Sequence, residues 1–109
     1  MAYDEELAKR IRHAITLFPE DFTEKKMFGG VAFLYQGKMT VGPVKNELMV
    51  RVIKSKMENV LNQEFVRPMD FTGKPMKEFI FVSPEGFSTE EQLQNWIELG
   101  LEHAKSKLK

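Results

Sequence analysis

Leu7, Ile11, Ala14, Ile15 and Phe18 recur at the spacing of one helix face and predict a helix over residues 4–18. Asp4, Glu5 and Glu6 fall in its first turn, where negative charge suits the positive end of the helix dipole, and Pro19 stops it. Asp21 and Glu24 then fall in a loop. From residue 31 the period changes. Residues 31–35 form a short apolar run rich in β-formers. Gln36-Gly37 reads as a tight hairpin turn, since glycine reaches positive φ at little steric cost. Residues 39–44 return as a second strand. Pro43 is expected at a strand end or edge, because it has no N–H to give to a ladder. Lys45-Asn46-Glu47 is a second turn, and residues 48–53 are a third strand, completing an antiparallel meander.

That third strand has no wet side. Leu48, Val50 and Val52 point one way, and Met49, Arg51 and Ile53 the other. A sheet with one solvated face would alternate cleanly, so this strand is expected to be covered on both faces, by helices or by a second subunit. Ser55 and Glu58 have the spacing of a capping box and open a short helix with Met57, Val60 and Leu61 inward. An extended piece and a loop with two prolines and a glycine follow. Residues 77–83, with Phe79, Ile80, Phe81 and Val82, read as another inner strand.

Ser88 and Glu91 suggest a second capping box, opening a helix to about residue 107. Its stripe is Leu93, Trp96, Ile97, Gly100, Leu101, Ala104 and Leu108. Gly100 lies on that stripe. A mid-helix glycine costs about 1 kcal/mol against alanine, so its presence points to another backbone approaching closely. The expected fold is α+β: a central antiparallel sheet of four to five strands, flanking N- and C-terminal helices and one short middle helix.

The totals add bounds. A chain of 109 residues is one domain by length, here residues 1–109, and 42% apolar residues with nine Phe suffice for a core without staples. Sixteen basic and sixteen acidic residues cancel, which disfavours phosphate-driven binding. The absence of cysteine removes disulfides, thiolate nucleophiles and cysteine zinc sites. No apolar run is long enough to span a membrane, and the acidic start is unlike a signal peptide, so a cytoplasmic protein is expected.

Catalytic groupings do not assemble along the chain. Gly29-Gly30 leads into a strand, so no helix N-terminus follows to hold a phosphate, and the pair reads as a bulge or bend. Gly73-Lys74 lacks the upstream glycine and the following Ser or Thr of a P-loop; those positions hold Pro68 and Pro75. His13 and His103 are the only histidines, one on each terminal helix, and no His or carboxylate cluster has metal-ligand spacing. Asp70, in an aromatic-rich loop, is the carboxylate to watch for a perturbed pKa, although a loop residue making a local turn hydrogen bond is the favoured reading. The remaining candidate is a basic set interleaved with aromatics: Lys26, Phe28, Arg51, Arg67, Phe71, Lys74 and Lys77, with Lys25 and Phe79 nearby. Converged, it would grip an anion or a nucleic-acid strand by charge and stacking; dispersed, it is a scatter of surface charges over a Phe-rich core.

Four stretches together resemble the N-terminal domain of the TfoX/Sxy family of bacterial competence regulators. They are "MFGGVAFLYQGKM", "LMVRV", "RPMDFTGKPMKEFIFV" and "LQNWIELGLEHA". The Phe-Gly-Gly lead into the strand and the Gly-Lys-Pro-Met loop are the most specific parts. The resemblance spans roughly residues 5–107. It implies an α+β fold with a central antiparallel sheet, a bacterial cytoplasmic setting, no known enzymatic activity and no catalytic residues. Full-length members linked to DNA uptake also carry a C-terminal helical domain; the motifs quoted belong to the N-terminal one. The expected function is a non-enzymatic regulatory or adaptor module, without cofactor or metal, that binds a protein partner or a second copy of itself. The alternative is nucleic-acid or nucleotide binding through the basic-aromatic set.

Overall fold

In the computed structural model, which describes residues 5–27, 30–68 and 78–107, the first apolar stripe folds as α1, Glu5–Ile15. It is shorter than its pattern. Thr16, Leu17 and Phe18 each donate to the carbonyl three residues back, tightening the end of the helix into 3₁₀-like turns before Pro19.

Six strands follow: β1 Phe22–Met27, β2 Gly30–Tyr35, β3 Lys38–Val44, β4 Glu47–Arg51, β5 Val66–Pro68 and β6 Phe79–Val82. They form one antiparallel sheet in the order β1-β2-β3-β4-β6-β5. The expected count of four to five strands is therefore corrected to six. The addition is β1, in a segment expected as loop. Its Thr23, Glu24, Lys25 and Lys26 are all exposed, so its sequence carries no apolar run. A charged strand of this kind suits a sheet edge, where it discourages pairing with other chains. At the other edge β5 is only three residues long and ends in Pro68, which has no N–H to offer.

The turns behave as their residues dictate. Gln36 and Gly37 both take positive φ, 49° and 81°, the requirement of a type I′ hairpin. Pro43 pairs with Leu48 of β4 but lies past the last registered β2–β3 pair, Phe33 with Val41, so its missing N–H faces no ladder partner there. Within the β2–β3 register Thr40 is an extra residue: Phe33 faces Val41 and Leu34 faces Met39. Its buried hydroxyl donates to the Phe33 carbonyl at 2.6 Å.

The last helices are α2, Lys54–Leu61, and α3, Glu90–Ser106, with a short 3₁₀ turn at Pro84–Phe87. Neither predicted capping box forms as read. Helix α2 starts after Ile53 with no side-chain cap, leaving Ser55 inside the first turn. For α3 the box is one residue later: the Thr89 hydroxyl accepts from the Gln92 N–H, and the Gln92 side chain accepts from the Thr89 N–H. Both frames offer a hydroxyl followed three residues later by Glu or Gln, so spacing alone did not separate them.

Residues of all three helices join one face of the sheet in the main core, where Ile11, Phe33, Leu48, Ile80, Leu93 and Ile97 are buried. The close approach expected at Gly100 is present. A Cβ there would lie 2.5 Å from the Thr40 carbonyl oxygen, so α3 rests directly on the bulge. The opposite face carries a second cluster, Ala32, Leu34, Met39, Met49 and Phe81, with Val44 and Phe79 against it. Its five main members are buried within this one chain, and the described helices contribute to the first cluster rather than to this one. Covering of both faces is thus achieved without a second subunit.

Candidate functional site

The basic-aromatic candidates separate once the sheet is assembled. Lys26 pairs with Val31, which places it on the helix-covered face at the β1 edge. Arg51 pairs with Phe79 and Arg67 with Phe81, which places both on the second face, near the opposite edge. Five strand spacings of about 4.8 Å lie between β1 and β5, so Lys26 and Arg67 are more than about 20 Å apart. Phe28, Phe71, Lys74, Lys77 and Asp70 lie outside the described residues.

The two arginines that share a face are already engaged. The Arg51 guanidinium stands 5.1 Å from the Phe79 ring centroid and that of Arg67 4.6 Å from Phe81, within cation–π range. Arg67 also grips Glu47 with two hydrogen bonds, from Nε at 3.2 Å and Nη2 at 2.5 Å. Directly opposed cross-strand pairs bring each arginine to its ring, while Glu47 reaches Arg67 across the intervening β6.

Two concave surfaces among the described residues flank α3. Between α2 and α3 a groove of about 600 Å³ is lined by Lys56, Gln63, Gln92, Asn95, Trp96 and Leu99. Trp96 is held in its wall by a 2.9 Å bond from the indole N–H to the Gly86 carbonyl. Gly86 has to be glycine or nearly so, since a Cβ there would meet Val82 at 2.5 Å and Phe65 at 3.2 Å. The Lys56–Glu102 ion pair, 2.8 Å long, ties α2 to α3 at this groove. A second groove of about 680 Å³ runs along the other flank of α3, with Phe18, Pro19, Ile53, Leu101 and Lys105 in its walls. Lys105 is paired there with Glu20. Glu98 and Glu102 border both grooves, so the outer face of α3 is a ridge between them.

A buried polar cluster sits behind that ridge. His103 is fully buried in α3, with Nε2 3.1 Å from Glu78 Oε2. The approach has ion-pair distance without hydrogen-bond alignment, and neither ring nitrogen has a hydrogen-bond partner; nor has the buried Nε of Arg51. Lys107 lies 3.9 Å from the same Glu78 oxygen. Burial pushes the His103 imidazole below its ordinary 6.5; Arg51 and Lys107 push the same way, and the Glu78 carboxylate opposes them. Sequence reasoning set His103 aside as an isolated histidine. The available signal was its position at the margin of the α3 stripe, seven residues beyond Trp96 and three beyond Gly100; the charged neighbours from β4 and from the residue before β6 leave no local trace.

Among the described residues no group of three or more His, Cys, Asp or Glu could hold a metal, and no helix is long and apolar enough to cross a membrane. No curated protein matches the chain. The family model of the TfoX N-terminal domain matches residues 17–104, from the end of α1 to the last turn of α3 and so through every strand of the sheet. With most of its length matched, and with the sheet and helices that its motifs implied, the chain belongs to the TfoX N-terminal domain family.

Proposed function

We propose that this domain is a small, non-enzymatic regulatory or adaptor module that works by holding a protein partner against α3. The observation that carries the reading is the groove between α2 and α3. It has an aromatic wall fixed by a hydrogen bond and a rim with the Gln63 and Asn95 amides, able to donate and accept. Amides beside an indole suit a peptide surface, which offers both backbone polar groups and apolar side chains. Family membership supports a regulatory setting.

The test is affinity capture with the wild-type domain and an Asn95→Arg variant, followed by titration of the purified partner against both. Asn95 is exposed, so the variant keeps the core intact. Binding should weaken at least about tenfold, the loss of roughly 1.4 kcal/mol. A partner held equally well by both proteins rules the groove out.

The second reading, nucleic-acid binding by the opposite face, draws on Arg51 and Arg67 standing over Phe79 and Phe81. It requires oligonucleotide binding that fades with salt and weakens in Arg67→Ala. Flat titrations at low salt remove it.

A further inference from the structure

A fully buried histidine with two unpartnered ring nitrogens is an uncommon thing for a core to keep, because most buried polar atoms are satisfied. Its surroundings are unbalanced as well. Among the described residues, the charged groups that act on His103 are Arg51 from β4, Glu78 from the residue before β6, and Lys107 from the end of its own helix. Among these described groups, two cations accompany one carboxylate. Glu78 is itself held at φ 68°, an unfavourable left-handed conformation for a glutamate, while its carbonyl accepts from the Val52 N–H at 2.9 Å.

We propose that the buried seat of His103, beside Glu78, is an acid-released latch that holds the last turns of α3 against the sheet at the start of β6. With the imidazole neutral, the cluster carries two positive charges and one negative, and the ring packs as a core residue. A proton on the ring would place a further positive charge on a fully buried group beside two described cations and one described carboxylate, and the closed arrangement loses to one in which the ring reaches solvent. The direction follows from the depressed value in the folded state: the open state takes up the proton first, so closure is favoured above about pH 6.5 and weakens as pH falls below it. Glu102, Lys105 and Ser106 of the same turns line the groove on the α1 side, so release of the latch reshapes that groove. The latch stands independently of whether a protein partner binds at α3.

The experiment follows amide exchange in residues 101–107 between pH 7.5 and 5.5, corrected for intrinsic exchange rates, in wild type, His103→Gln and Glu78→Gln. Wild type should lose protection in these turns as pH falls, while α1 and β3 keep theirs. His103→Gln, which cannot take a proton, should show no pH-dependent loss. Glu78→Gln removes the described carboxylate beside the ring and should lose protection at a higher pH than wild type. Should the variants fail to fold, the wild-type imidazole is titrated by NMR in a His13→Asn background, and it should take its proton at lower pH than in the urea-unfolded chain. Equal pH dependence in wild type and His103→Gln overturns the latch. So does an imidazole that titrates alike in the folded and unfolded chain.

Discussion

Arg12 and Glu24 show how single side chains tie the edge of this protein to its body. The guanidinium of Arg12, on α1, meets both carboxylate oxygens of Glu24, on β1, at 2.8 Å. Lys105 and Glu20 make a comparable link between α3 and the turn that follows α1. Hydrogen bonding to these cations holds both carboxyls below their ordinary 4.5. A carboxylate whose folded value is lowered stabilises the fold above its unfolded value, and that contribution disappears as pH falls through the folded value. Acid should therefore weaken the protein below about pH 4.5 through these pairs, separately from the histidine window above it. In Arg12→Ala the fall in urea midpoint between pH 5 and pH 3 should be smaller than in wild type; an unchanged fall means that the pair carries none of the acid sensitivity. The effect is modest, because both side chains are largely solvated. At this scale the sequence was least legible. Arg51 lies over Phe79 and Arg67 over Phe81, but cross-strand pairing, which decides which ring each one meets, depends on a register that composition does not encode.

Elements were easier to read where they bury something. The hairpin at Gln36-Gly37, the strands β2, β3, β4 and β6, and the stripe of α3 all declare themselves by period and by turn chemistry. Strand β1 did not, because an edge strand of exposed, charged residues has the composition of a loop. The α3 glycine is the case where local propensity and tertiary packing pull in opposite directions. Gly100→Ala gains about 1 kcal/mol of helix propensity. It also places a methyl group 2.5 Å from the Thr40 carbonyl oxygen, a backbone atom of a central strand that cannot rotate away. Overpacking of this kind costs about 1–3 kcal/mol, so the variant should be less stable than wild type by urea denaturation. A more stable variant would mean that α3 slides off the bulge without penalty.

At the scale of the molecule the sheet is greased on both faces, yet both clusters are buried in a single chain. An obligate dimer would leave one of them wet in the isolated protomer and would unfold at a midpoint that rises with protein concentration. Here the thermal midpoint should stay constant from about 1 to 100 µM; a midpoint that climbs over this range would show that the fold depends on a second copy. The strand order also sets a sequence of events. From β1 to β4 each strand pairs with its chain neighbour across a short connection, whereas Val50 meets Ile80 only after α2 and β5 have been passed. Short loops close at the smaller entropic cost, so the meander is favoured to come together ahead of the rest. The perch on which Gly100 lands is the kink at Thr40, and that kink exists only where β2 and β3 have already zipped. The C-terminal helix is thus a late arrival that recognises a finished surface, and an error in the first hairpin would leave it nowhere to settle.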